Sequence, residues 1–137
     1  MPFEELPHTA DWCLRVWAPD LPTLFTEAAR GMYSTAGIKL VETGRIQRTF
    51  FTTAPDAEGL LVGFLSELVF LLEKDHLAFD DIEVQVDVEN APPFRLSASL
   101  CDASVLTSGK AIKAVTYHNL NIHPVRQGLE VEIVFDV

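Results

Sequence analysis

Residues 60–72, which read LLVGFLSELVFLL, decide the fold. Ten of these residues are apolar, and only Gly63, Ser66 and Glu67 interrupt the run. The run is shorter than the roughly 18 apolar residues that a membrane-spanning helix needs. A helix with so narrow a polar stripe is buried on most of its sides. The pattern therefore predicts a helix capped by Asp56 that lies in the centre of the domain, or partly in a subunit interface.

Upstream of this helix the sequence predicts a strand, another helix and a second strand. Residues 12–17 are rich in aromatic and aliphatic side chains, which is typical of a strand. Asp20 is a typical helix N-cap, apolar residues follow at helical spacing from Leu21 to Ala36, and Gly37 is the expected stop. Residues 45–52 predict the next strand.

Downstream of the long helix the pattern changes to a period of two. Apolar side chains alternate with polar ones over residues 82–88, and alternate again over 94–100 after a turn at 90–93. Residues 115–122 and 129–137 predict a closing hairpin around 124–128. The fold class is therefore α+β, with two helices packed on a largely antiparallel or mixed β-sheet. We expect residues 1–137 to form a single domain.

The charge of the chain limits the class of its partners. Twenty acids and ten bases give the 137 residues a net charge of −10. This balance argues against tight direct binding to nucleic acid or to an anionic membrane, and it suits cations or the basic face of another protein. The N-terminal residues carry no signal-peptide pattern, so we expect a cytoplasmic protein. Cys13 and Cys101 are the only cysteines, and we interpret them as reduced thiols, with a disulfide or redox pair as the alternative.

None of the common catalytic motifs is present, and the histidines show no good metal spacing. His118 and His123 are five residues apart in a predicted strand, so their side chains would lie on opposite faces. The stretch His8-Thr-Ala-Asp11 is more informative, because its polar groups come directly before an apolar strand where side chains can converge on a site. The alternative is a turn in which Asp11 bonds to nearby backbone.

The last two residues suggest a cation site. Asp136 lies on the face of the final strand opposite Phe135, and Val137 follows it with the terminal carboxylate. Asp11 would add a third carboxylate. Oxygen-only ligands suit a hard divalent cation, so we favour calcium, with magnesium or manganese as alternatives. A solvated chain end is the simpler interpretation.

Lys113 interrupts an apolar run, and only four lysines occur in the chain. One interpretation is an edge-strand lysine that discourages aggregation. The other is a cation held near the acidic cluster or near a phosphate on a partner's substrate. The period of a strand would place Lys113 on the same side as Val115 and Tyr117.

Four segments together resemble the archease family, and the resemblance covers essentially the whole chain. They are His8-Thr-Ala-Asp11, Leu24-Phe-Thr-Glu-Ala-Ala-Arg-Gly-Met32, Ile112-Lys-Ala-Val-Thr-Tyr-His-Asn119 and Val134-Phe-Asp-Val137. The resemblance implies a non-catalytic activator of the tRNA-splicing RNA ligase. That ligase attaches GMP from GTP to its own histidine and then activates an RNA 3′-phosphate, and archease promotes this guanylylation and repeated turnover.

The resemblance also implies roles for individual residues. Asp11 and Asp136 match metal-binding aspartates, Val137 matches a terminal residue that touches the metal, and Lys113 matches a lysine needed for ligase activation. His8 is a supporting candidate. Two alternatives remain open: a stand-alone metal-dependent hydrolase that uses Asp11 and Asp136, and a chaperone-like dimer or other homo-oligomer suggested by the apolar helix.

Overall fold

The structure is a computed structural model that describes residues 2–6, 11–42 and 44–137. Within these residues the chain forms two helices and nine strands. Their bounds in chain order are β1 Phe3–Leu6, β2 Trp12–Ala18, α1 Leu21–Thr35, β3 Lys39–Leu40, β4 Ile46–Ala54, α2 Ala57–Asp75, β5 Leu77–Asp87, β6 Phe94–Thr107, β7 Ala114–Val115, β8 His123–Val125 and β9 Gly128–Asp136.

The strands form two sheets in which every described pair is antiparallel. In the first sheet the order is β1-β2-β9-β7, and β8 also pairs with β9. In the second sheet β6 is central and pairs with β3, β4 and β5. The predicted α+β class is confirmed, and the choice between an antiparallel and a mixed sheet is resolved in favour of the antiparallel one.

The two helices pack between the sheets. Helix α1 contacts β2 of the first sheet and β5 of the second, and α2 contacts β4, β5 and β6 on one side and β7 on the other. The rings of Phe25 and Phe64 stack between the helices, with centroids 6.2 Å apart. Helix α2 therefore lies in the centre, as its narrow polar stripe predicts. No helix in the described part of the chain is long and apolar enough to cross a membrane.

The predicted caps begin both helices. The side chain of Asp20 accepts a hydrogen bond from the backbone N–H of Thr23 at 2.8 Å, and Asp56 accepts one from Gly59 at 2.7 Å. Each carboxylate satisfies an N–H group that has no partner within the helix. Helix α1 ends next to Gly37, the predicted stop, which has a φ of +70°.

The prediction of a strand over residues 115–122 is wrong. Only Ala114–Val115 is a strand, and the polar residues that follow form hydrogen bonds that turn the chain. The hydroxyl of Thr116 donates to the carbonyl of Val134 and accepts from the N–H of His118, and Leu120 N–H then closes a turn onto Tyr117. A hairpin does precede the end of the chain, but its first strand is β8, which lies largely within the predicted turn at 124–128 and pairs with β9. Strands β1 and β3 were not predicted, because four and two residues are too few to show a period.

Candidate functional site at the end of β9

The last residues of β9 lie between the first residues of β2 and of β7. Trp12 opposes Phe135 on one side, and Val115 opposes Phe135 on the other. One residue further along, Ala114 opposes Asp136, and Asp11 directly precedes Trp12 at the start of β2. Opposed Cα atoms in antiparallel strands are roughly 4.5–5.5 Å apart. The structure therefore brings both predicted aspartates to one end of the first sheet.

Alternation along β9 points Asp136 away from the core. Its neighbour Phe135 is buried between the sheets, so Asp136 projects from the other face. Asp136 is exposed, and Asp11 and Val137 are half-buried. Asp11 has at least one polar or electrostatic interaction of its own. The two acids therefore belong to the same end of the first sheet.

Two carboxylates fit a hard cation but do not complete its coordination. Calcium takes six to eight oxygen ligands, and two carboxylates supply at most four. In residues 2–6, 11–42 and 44–137, no three His, Cys, Asp or Glu side chains form a cluster that could hold a metal. Any cation here would therefore need further oxygens from backbone, from Val137, from water or from a bound partner. His8, the supporting candidate, lies outside the described residues.

Lys113 lies beside Asp136 because the main chain holds it there. Its backbone N–H donates to the carbonyl oxygen of Asp136 at 2.8 Å. At the other end of the same loop, Gly109 N–H donates to the carbonyl of Ala36 at 2.8 Å. Lys113 is exposed and Val115 is buried, and both line a small cavity against α2. The strand β7 covers only Ala114–Val115, so the strand period that the prediction used does not extend to Tyr117.

Lys110 joins the same loop to the start of β2. Its Nζ lies 5.4 Å from the centroid of the Trp12 ring, within the range of a cation–π interaction. Trp12 follows Asp11 directly. Two of the four lysines of this acidic chain thus flank the sheet end that carries Asp11 and Asp136.

A cavity of about 380 Å³ lies between α2 and the loop that carries these lysines. This volume is within the range of small-ligand sites. Its wall is mostly apolar, with a few polar groups at its edge. The apolar residues include Val69, Leu72 and Ile112, and the polar ones include Glu73, His76, Lys110 and Lys113. The cavity places Lys113 at a recess rather than on a flat surface.

The other histidines do not join this site. His118 and His123 do not share the single strand that was predicted for them. Among the described residues, neither belongs to a group of three or more His, Cys, Asp or Glu side chains that could hold a metal. His118 Nε2 lies 3.3 Å from the side-chain nitrogen of Asn119, and His123 Nε2 lies 3.3 Å from an oxygen of Glu130.

Both cysteines are free, as predicted. Cys13 is buried opposite Val134, one residue inside the end that carries Asp11. Burial, with a smaller contribution from the charge of Glu132, raises the pKa of the Cys13 thiol above its usual value. Cys13 is therefore an unreactive packing residue rather than a nucleophile.

One buried ion pair escaped the sequence analysis. Asp102 of β6 is 2% exposed, and its carboxylate accepts a hydrogen bond from the guanidinium of Arg48 on β4. The alternation along β6 does predict that Asp102 is buried. Leu96, Ala98 and Leu100 point to the core, and Asp102 is the next residue with the same spacing. The pair lies in the second sheet and stabilises the scaffold.

The comparison with known proteins identifies the family. A model of the archease protein family matches residues 3–137. The chain belongs to the archease family. Protein archease of Methanosarcina barkeri is 31% identical, with 98% of this chain and 95% of the relative covered. Protein archease of Thermococcus kodakarensis is 32% identical, with 92% and 91% covered.

Two solved structures share the archease fold of this chain. The solution structure of Methanobacterium thermoautotrophicum protein 1598 aligns with a TM-score of 0.77 at 22% identity, and it covers 99% of each chain. The crystal structure of an archease from Thermotoga maritima, described as a possible chaperone, aligns with a TM-score of 0.70 at 18% identity, and it covers 98% of this chain and 96% of the other. The predicted resemblance is confirmed, and at these identities the two structures support the fold alone.

Proposed function

We propose that this protein is a non-catalytic, metal-binding activator of the tRNA-splicing 3′-phosphate RNA ligase. It promotes guanylylation of the ligase and its repeated turnover in tRNA splicing and RNA repair. One observation carries the proposal: Asp136, Lys113 and the residue before Trp12, Asp11, all belong to the same end of the first sheet in a chain of net charge −10. Its two free cysteines fit a reducing cytoplasm.

In this proposal the acidic surface promotes binding to the ligase, and the end of the first sheet promotes guanylylation of the bound ligase. An RNA-binding enzyme presents a basic surface, and complementary charge accelerates and orients the encounter. Asp11 and Asp136 would then hold a divalent cation, calcium first, with its remaining ligands from Val137, water or the ligase. The cation, when bound, would supply positive charge for anionic phosphate oxygens.

Lys113 would supply a second positive charge at the same place. Transfer of GMP from GTP to a histidine spreads negative charge over phosphate oxygens in the transition state. A fixed ammonium group aimed at those oxygens stabilises the transition state more than it stabilises the activator's own fold. The exposed position of Lys113 beside Asp136 suits this role, because the group can reach into a partner.

The direct test measures GMP incorporation into the ligase from the same cell, with and without this protein. We expect strong stimulation by the wild-type protein, and at least a tenfold loss for Lys113→Ala, about 1.4 kcal/mol of transition-state stabilisation. The matched control is Lys39→Ala, another exposed lysine, which lies on β3 of the second sheet. Melting temperatures of both variants should stay close to the wild type, because exposed lysines contribute little to stability.

The outcomes separate this proposal from the alternatives. Full stimulation by a well-folded Lys113→Ala variant would remove Lys113 from the site. Loss of stimulation together with a large fall in melting temperature would assign Lys113 a structural role. Metal-dependent hydrolysis without any ligase would favour a hydrolase, and protection of unrelated proteins from aggregation would favour the chaperone role named for the Thermotoga maritima structure.

A further inference from the structure

Strand β4 is an open edge of the second sheet. In the part of the chain that the structure describes, β4 pairs only with β6, and its other side has no partner strand. The strand is nine residues long, and most of its side chains are exposed. Such an edge presents a row of unpaired N–H and C=O groups that can template another strand. Natural proteins usually protect long edge strands with charged residues, prolines, bulges or short length. An edge without these features can therefore be a site of strand pairing.

The other described edges carry such devices, and β4 does not. Strand β1 has four residues with two glutamates at its centre, and β3, β7 and β8 have two or three residues each. Strand β5 carries Asp80, Asp81, Glu83 and Asp87 and is interrupted by a bulge. Strand β4 reads IQRTFFTTA, with no acid and no proline, although acids outnumber bases two to one in the chain.

The only charge within β4 is already used inside the molecule. The Arg48 guanidinium donates to the buried carboxylate of Asp102. Arg45, just before the strand, bonds to Asp80 at 2.5 Å. The edge therefore offers backbone hydrogen-bonding groups and apolar side chains. It has no unpaired charge that would favour a charged partner. Phe51 is 63% exposed and Ile46 is 58% exposed along this strand.

We propose that β4 pairs antiparallel with β4 of a second copy of this chain, which joins the two second sheets into one. The strand is suited to self-pairing for a geometric reason. A two-fold axis perpendicular to the joined sheet places the same face of both copies on the same side of that sheet. Residues opposed across the axis must therefore share a face, so Phe51 meets Thr49, Phe51 or Thr53 of the other copy. These are aromatic and β-branched cross-strand neighbours, which stabilise sheets, and no like charges oppose each other there.

The charge of the protein predicts how this association responds to salt. Each copy carries −10, so the copies repel through their remaining surfaces. The Debye length falls from about 10 Å at 0.1 M salt to about 3 Å at 1 M, which screens this repulsion. The dimer should therefore tighten as sodium chloride is raised, whereas an interface held by ion pairs would weaken.

Sedimentation equilibrium tests the proposal, with protein up to about 1 mM so that even a millimolar Kd is detected. We expect a monomer–dimer equilibrium whose Kd falls with salt. Phe51→Lys should raise the Kd at least tenfold, because it places a positive charge on each side of the pairing. Gln85→Lys is the matched control, since Gln85 lies in the same row and on the same face as Phe51 but on the β5 edge.

Both variants change the net charge by the same amount, so a general charge effect would move both Kd values equally. Hydrogen exchange gives an independent readout: the backbone amides of β4 should become protected as the protein concentration rises, and those of β5 should not. A monomer under all conditions, equal effects of the two variants, or a dimer with unprotected β4 amides would each overturn the proposal.

Discussion

Breaking the Arg48–Asp102 pair should destabilise the fold far more than removing an ordinary surface arginine. The Asp102 side chain is 3% exposed, whereas Arg48 is 44% exposed. Removing one partner of a buried pair costs roughly 3–5 kcal/mol, because the remaining charge stays in the core. Because water reaches the guanidinium, this figure must be discounted for solvent screening. We therefore expect Arg48→Met to lower the free energy of unfolding by about 2–3 kcal/mol at pH 7.

Urea unfolding at pH 7 measures this loss of stability. Arg95→Met is the matched control, because Arg95 is exposed on β6 of the same sheet, and we expect a change within about 0.5 kcal/mol. Replacing both partners, as Arg48→Met with Asp102→Leu, should recover most of the lost stability. A loss below about 0.5 kcal/mol for Arg48→Met would refute the reasoning.

Three further predictions follow from the charge, the sheet end and one turn. Filter binding with a tRNA half should give a Kd above about 1 µM at physiological salt, because few cations can replace phosphate counterions; sub-micromolar binding without the ligase would count against the activator proposal. A calcium-soaked crystal should show Asp11 and Asp136 oxygens about 2.3–2.6 Å from one ion, and carboxylates more than about 8 Å apart would exclude a shared site. Gly128→Ala should destabilise the protein by more than about 1 kcal/mol in the same urea assay, because Gly128 has a φ of +134° and a Cβ there would lie 2.4 Å from the Ala18 carbonyl oxygen.

Local chemistry explains which parts of the fold could be predicted. Asp20 and Asp56 predict the starts of both helices, because a capping carboxylate accepts a hydrogen bond from a backbone N–H only three residues further along the chain. Strand β9 could be predicted because its two faces meet different environments, which gives a clear period of two. The predicted strand over 115–122 was too long because the hydroxyl of Thr116 bonds both to the Val134 carbonyl on β9 and to the N–H of His118. The position of Val134 beside Thr116 depends on the pairing of β7 with β9, which local sequence does not specify.

The candidate site also has features that local sequence predicts and features that depend on the tertiary fold. Asp136 could be assigned to the solvent face from alternation alone, and its proximity to Asp11 required the pairing of β2 with β9. The cavity beside Lys113 could not be predicted, because its walls come from α2 and from residues 105–113. The roles of Asp11, Asp136, Val137 and Lys113 stay predictions carried by the family. The structure adds the contacts through which they can be tested one at a time.

The way each cation is held explains why Lys113 and Arg48 should behave so differently. Lys113 is positioned by its backbone N–H on Asp136, and its loop is fixed at Gly109 by another backbone bond. Neither bond involves the ammonium group, so Lys113→Ala changes the charge and leaves the anchor in place. Arg48 is the opposite case, because its guanidinium itself satisfies a buried carboxylate. A cation anchored through its main chain can act on a partner without a cost to the fold, and this is what an activating residue requires.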